Sequence, residues 1–280
     1  MSDLNNFYKQ IRAAIVIHKR DLRISLFGPV LHVVTFASLL ISVTILRNYL
    51  TYIEANGLYP MPDLFSFPYR WAIILTGVYL SFSIVVSISR ERESGTLELL
   101  FYGPVDYASY VIGKYVAHFS IYCLVIVLYL LCFLLISRIA GVQMTNSFFM
   151  TVLLSVFTGG YLISIGLFIS AISTSVRSAT LVFLTLIVSI LLLQGSQVWL
   201  SNIAIESDYY NPVLLLQQLL GLVQTIVGWL SPFSYLNYGV NEMLRGNMIV
   251  FVRMIGFSII FCFVFVAGSI IGLRLRGVRQ

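Results

Sequence analysis

Six separate stretches of this chain are each apolar over the length of a bilayer, at 26–46, 71–90, 115–137, 148–172, 179–200 and 254–273. A hydrocarbon core about 30 Å thick takes roughly 20 residues of α-helix to cross. Lipid offers no partner to an open backbone N–H or C=O, so stretches of this length and kind can only be helices there. Composition agrees: 59% of the 280 residues are apolar, 10% are charged and mean hydropathy is +0.94, too few charges to coat a water-soluble globule. The same figures exclude the charge-rich, apolar-poor make-up of disordered chains. The expected fold is an all-α integral membrane protein with six transmembrane helices, multi-pass in the plasma membrane.

A seventh apolar stretch, 212–230, carries Gln217, Gln218 and Gln224 and is the ambiguous one. The bias of Lys and Arg toward cytoplasmic loops resolves it. With six spans and the N-terminus inside, twelve of the 17 basic residues fall on the cytoplasmic side, and both termini are cytoplasmic. A seventh crossing would carry Arg274, Arg276 and Arg279 outside. The 212–230 stretch is therefore expected as a re-entrant or interfacial outer hairpin before the last span, inside an outer segment 201–250, with Gly221 and the Ser231–Pro232 step as breaks. The net charge of +6 is then an orientation signal and calls for no nucleic-acid partner.

Residues 1–25 precede the spans as an amphipathic helix. Leu4, Phe7, Ile11, Ile15, His18 and Leu22 fall on one side at the helical period, and Lys9, Arg12, Lys19, Arg20 and Arg23 fan out on the other. Such a helix lies in the membrane interface, its cations toward anionic lipid headgroups or a soluble partner. The division expected is thus an interface helix, 1–25, and a six-span domain, 26–280. No cleavage site follows the first apolar stretch, which reads as a retained span. Cys123, Cys132 and Cys262 lie in apolar runs without a C-x-x-C pair, so neither a disulfide framework nor a metal site is expected.

Between the ends of those six windows there is no Asp, Glu, Lys or Arg. Ion-coupled carriers and proton relays are built from such groups, so a self-powered pump is disfavoured. His118 in the third could titrate there and is expected as an interhelical hydrogen-bonder. Thr76, Ser83, Ser87 and Arg90 align on one face of the second span, and Gln194, Gln197 and Ser201 on one stripe of the fifth. Thr76, Ser83, Ser87, Gln194 and Gln197 are candidates for a substrate path; the alternative is that the hydroxyls bond their own preceding turn and the glutamines pair across helices. Gly160 with Ser164, Gly166 with Ser170 and Gly268 with Gly272 mark close helix approaches, within one subunit or between two.

The most charged stretch joins the second and third spans, within a cytoplasmic loop at 90–114, and reads Arg90-Glu91-Arg92-Glu93-Ser94-Gly95-Thr96-Leu97-Glu98-Leu99-Leu100-Phe101-Tyr102-Gly103-Pro104-Val105-Asp106. Its second half has a helix's punctuation: Ser94 or Thr96 as cap, Glu98 in the first turn, Gly103-Pro104 as the stop. Leu97, Leu100 and Phe101 share a face of that short helix, and apolar residues exposed on a polar loop imply a partner or the membrane surface.

This run resembles the E-R-E-x-G-T-L-E-x-L-x-x-x-P-V signature of type-2 ATP-binding-cassette (ABC) exporter permeases, with the following Ile112-Gly113-Lys114 also in place. The segment SPFSYLNYGVNEMLRGN, from Ser231 to Asn247, is similar to an outer S-P…R-G segment of the same family. The resemblance implies that Glu91, Glu93, Gly95, Thr96, Leu97, Glu98, Leu99, Leu100, Phe101, Pro104 and Val105 form a coupling helix region that docks on a separate ATPase subunit, the glutamates pairing with its arginines. It also implies a second permease subunit, identical or not, and a substrate path between the two. The chain has no G-x-x-x-x-G-K-[ST] phosphate loop, so it is expected to hold no cofactor of its own, and ATP and magnesium belong to the partner.

The function expected is the permease subunit of an ABC exporter, not itself an enzyme, moving an amphipathic or lipid-linked substrate outward. Uncharged spans and a 14% aromatic content suit a greasy cargo such as a lipid, drug, peptide or glycan. A non-transporting membrane scaffold and an ion-coupled carrier remain as alternatives. A metalloprotease is excluded by the lack of H-E-x-x-H.

Overall fold

The computed structural model describes residues 2–57, 63–102, 105–201, 219–221, 223, 225 and 227–276. Among these the architecture is entirely helical, with six helices long and apolar enough to span a membrane. In chain order the elements are α1 (Ser2–Phe27), α2 (Pro29–Ala55), α3 (Ser66–Glu93), α4 (Thr96–Tyr102), α5 (Tyr107–Ala140), α6 (Asn146–Ile172), α7 (Val176–Ser201), α8 (Pro232–Leu244) and α9 (Met248–Arg276). The spans are α2, α3, α5, α6, α7 and α9.

Five of the six spans contain their apolar windows; α2 instead begins at Pro29, after Gly28, and runs on to Ala55. α5 overruns its window most informatively. The window begins at 115, but the helix begins at Tyr107, directly after Asp106 in extended conformation. Hydropathy measures the thickness of the hydrocarbon, whereas a helix ends where its caps end it. As a consequence Lys114, placed by its charge in a loop, belongs to a span.

α6 is the hub, packed against α3, α5, α7, α8 and α9. Its small residues explain why. A Cβ on Gly166 would lie 2.5 Å from the Ser81 carbonyl oxygen of α3, and one on Gly159 would fall 2.0 Å from the Tyr122 ring of α5. Gly160 is covered by Tyr115 and Phe119, Gly268 abuts Phe168 and Gly272 abuts Ile172. Ser170 Oγ donates 2.8 Å to the Val85 carbonyl and lies 2.9 Å from Ser89 Oγ. These small residues therefore serve approaches within the subunit.

Intramembrane hydroxyls are satisfied internally, as lipid requires. Tyr129 donates to the Thr35 carbonyl at 3.2 Å and pairs with Thr76 at 2.6 Å, joining α2, α3 and α5. Tyr122 donates to the Ser155 carbonyl at 3.1 Å. His118 Nδ1 donates to the Lys114 carbonyl at 3.0 Å, one turn back on its own helix and not across to another.

The S-P…R-G segment is helix punctuation. Ser231 caps α8 by accepting from the Ser234 amide, Pro232 takes the first helical position, Arg245 is the C-cap, and Gly246 turns the chain into α9 with φ +87°. Residues 227–230 just before this break are helical. Most of the proposed hairpin 212–230 lies outside the described residues.

Candidate functional site

The last turn of α3 is the run Arg90-Glu91-Arg92-Glu93, and successive residues of a helix point about 100° apart. The last three therefore meet different neighbours. Glu91 faces α1 and α5: its Oε1 accepts from Arg20 Nη2 at 2.7 Å and from Lys114 Nζ at 3.0 Å, and its Oε2 accepts from the Tyr110 hydroxyl at 2.5 Å. Arg92 faces the end of α6, donating to the carbonyls of Ser173 and, at 2.9 Å, Ala171. Those are the open carbonyls of a helix C-terminus, where a cation is favoured. Glu93 faces α7, its Oε1 accepting from the Val176 amide at 2.7 Å, where an anion is favoured. One helical turn thus clasps α1, α5, α6 and α7.

Lys114 is the centre of the clasp. Its residue is 0% exposed, and its ammonium donates to Ser87 Oγ at 2.6 Å and lies 3.0 Å from both Glu91 Oε1 and Asp21 Oδ2. The Asp21 contact rests on charge more than on an aligned hydrogen bond, since Oδ2 has no hydrogen-bonded partner. Asp21 also holds Arg20 Nε at 2.8 Å through Oδ1. Burial would push the Asp21 carboxyl up, but Lys114 and then Arg20 outweigh it and hold the group below the usual carboxylate range. The Arg20 guanidinium, which burial would lower, is raised on balance by Asp21 and Glu91. Two cations and two carboxylates balance, as a buried set must.

Beyond the clasp, Gly95 reverses the chain with φ +70°, a left-handed conformation that glycine adopts without strain. α4 follows. Its inner face is Leu97, 3% exposed, with Leu100 and Phe101 against the core; the Phe101 ring lies tilted 4.2 Å from that of Tyr107 and edge-on 5.6 Å from that of Tyr110. Its outer face is Glu98, Leu99 and Tyr102, the last two 71% and 78% exposed.

The candidate residues consequently divide. Leu97, Leu100 and Phe101, expected as an exposed apolar face, are turned into the chain, because a short helix on a bundle buries its apolar side like any other. Glu91 is engaged inside the chain through both oxygens, and Glu93, which is exposed, gives Oε1 to the Val176 amide. Thr96 is exposed, its hydroxyl donating 3.0 Å to the Glu91 carbonyl, and Val105 is packed on the core. Glu98 and Leu99 face outward. Pro104 lies outside the described residues. Of the path candidates, Thr76 is committed to Tyr129 and the Ala72 carbonyl, Ser87 to Lys114, and Ser83 is half-buried. The side chains of Gln194 and Gln197 are outside the described set.

Ile17 and Asp21 form the docked side of α1, while Ile11 and Ile15 of the apolar stripe are 42% and 46% exposed. Leu4 and Phe7 are outside the described side chains. Asp21 was the residue sequence reasoning missed. The available signal was a lone acid among four cations at 12–23, and a lysine in α5 that needs one.

The fold defines a multi-pass helical membrane protein. A family model for ABC-2 family transporter proteins matches residues 70–276, most of the chain, and the chain belongs to that family. It is accordingly a permease subunit of an ABC transporter, a membrane component that works with an ABC ATPase subunit and is not the ATPase. The chain matches none of the curated proteins compared with it.

Proposed function

We propose that α4 is the surface on which the ATPase subunit docks, and that the chain is one half of an exporter driving an amphipathic or lipid-linked substrate outward. The observation that carries this reading is the division of α4: an inner face seated on the bundle and an outer face of Glu98, Leu99 and Tyr102 left open, one turn after a clasp that reaches four other helices. A push on the outer face arrives at Glu91, Arg92 and Glu93 together, and rigid helices carry it into the spans. In this reading α4 and both termini are cytoplasmic, in keeping with the excess of Lys and Arg at that end. ATP and magnesium are bound by the partner, a second permease subunit completes the path, and Ser83, Gln194 and Gln197 border it. Uncharged spans suit a cargo that is itself largely apolar.

The reading is tested by Glu98→Lys, which reverses a charge on the outer face without touching the clasp. Co-purification of the ATPase subunit should fall about tenfold, equivalent to ~1.4 kcal/mol of binding, and permease-stimulated hydrolysis should fall with it. Unchanged values for both would refute α4 as the docking helix.

A further inference from the structure

An amphipathic helix held only by its apolar face can roll about its axis or lift from the surface. α1 is restrained otherwise. Its backbone crosses α5 so closely that a Cβ on Gly113 would lie 2.8 Å from the Ala14 carbonyl oxygen and 3.1 Å from the Ile17 Cβ. Seven residues beyond Ala14, Asp21 turns inward at 6% exposure and meets the Lys114 ammonium, whose remaining contacts, Ser87 and Glu91, both belong to the end of α3. Arg20 spans the same gap from the other side, to Glu91. One buried cation therefore ties three helices at a single point, two turns from the start of α4.

We propose that Lys114 is a positioning residue that makes α1 part of the coupling unit, so that α1, the end of α3 and the start of α5 move as one body when α4 is displaced. The inference rests on α4 being the docking helix. Its content is that α1, which sequence marks only as an anchor, is a strut: without Lys114 it still sits at the membrane surface but no longer follows the push. Removing the ammonium leaves Asp21 facing Glu91 with only Arg20 between them, which favours separation of α1 from α3.

The experiment uses spin-label distances in a chain whose three cysteines are replaced by alanine. One label replaces exposed Arg12 on α1 and the other exposed Leu131 on α5, roughly 25 Å along the helix from Lys114. The parent and the control Lys19→Met should give one narrow distance distribution. Lys114→Met should give a broad one. Asp21→Asn, which lies outside the spans and leaves their insertion alone, should do so as well, and the double variant should be no broader than Lys114→Met. A narrow distribution in both single variants overturns the proposal.

A second pair of labels, at Leu131 and at exposed Leu184 of α7, reads the spans in the permease–ATPase complex with ATP and vanadate. The parent should show a nucleotide-dependent shift, and Lys114→Met and Asp21→Asn should lose it while hydrolysis stays within about twofold. A shift retained in both variants overturns the strut alone. A parent complex with no shift overturns the docking assignment of α4, and the strut falls with it.

Discussion

The two ends of the bundle are tied in opposite ways. At the α4 end the charged contacts cross long stretches of chain: Arg20 to Glu91, Lys114 to Asp21, Arg92 to Ala171, Glu93 to Val176. At the far end Arg245 and Asn247 both return to Glu242, three and five residues back in the same turn. Contacts between elements there join one charged group to a neutral one, as when Ser147 donates to the Asp63 carboxylate at 2.5 Å and Arg70 to the Asn237 amide oxygen at 3.1 Å. Among the described residues, ion pairs knit helices into a unit at one end and finish a single turn at the other. A bundle built so can be driven from the knit end while its other end opens.

Glu91→Ala is the substitution that would break this contrast most forcefully. It takes one of two carboxylates from a fully buried ammonium, removes the partner of Arg20 on α3, and takes away the acceptor of the Tyr110 hydroxyl. Taking one member from a buried charge set costs about 3 kcal/mol, at the lower end of the usual range because the Glu91 side chain is 20% exposed. Denaturant unfolding in detergent micelles measures it. A loss below about 1 kcal/mol would mean that the α4 end is held by apolar packing and that the clasp is ornamental.

Much of this was legible beforehand, and the boundary of legibility has a physical cause. Six spans announce themselves because lipid admits only long apolar helices, and α4 because Gly95, Thr96 and Glu98 are punctuation with local causes. The orientation of Glu91 and Glu93 is a different kind of fact. A motif states which residues stand together; the face each presents depends on a helix's rotation against neighbours 20 to 80 residues away. Lys114 was misplaced because an apolar window cannot contain it, although a helix can carry it once Asp21 and Glu91 supply the counter-charge. Asp21 was overlooked because a helical wheel sorted by hydropathy sends every charge to the outside.

A smaller effect is expected at Glu93. Glu93→Gln keeps an oxygen for the Val176 amide and removes only the charge at the α7 N-terminus, so the loss should be about 0.5 kcal/mol. Because the site is exposed, the difference from the parent should shrink as salt is raised. A loss as large as that of Glu91→Ala would place the centre of the clasp at α7 and not at Lys114.

Acid offers a titration of the same end. The Asp21 carboxyl is held below its ordinary value, so the unfolded chain binds its proton first as pH falls. Its contribution is fully present above the unfolded value of about 4 and is lost as pH drops through the lower folded value. The stability contributed by Asp21 should therefore be constant between about pH 5 and 8, and Asp21→Asn should flatten the acid limb of the profile below that. A difference between parent and variant that grew from pH 8 to 5 would contradict the sign.

Glu242→Gln should do least. The Glu242 carboxyl is held down chiefly by the hydrogen bond from Asn247, opposed by desolvation and helped by Arg245, so its contribution too is present above the carboxylate range and fades only in acid. At neutral pH a glutamine still accepts from Asn247, and the Arg245 side chain, 73% exposed, is already screened by water and salt. The melting midpoint should not move beyond replicate scatter at low salt or high. If Glu242→Gln instead destabilised the chain as Glu91→Ala does, the α8–α9 turn would be anchoring helices and not merely ending one. Both ends would then be knit by charge, and a push delivered at α4 would find no end free to open.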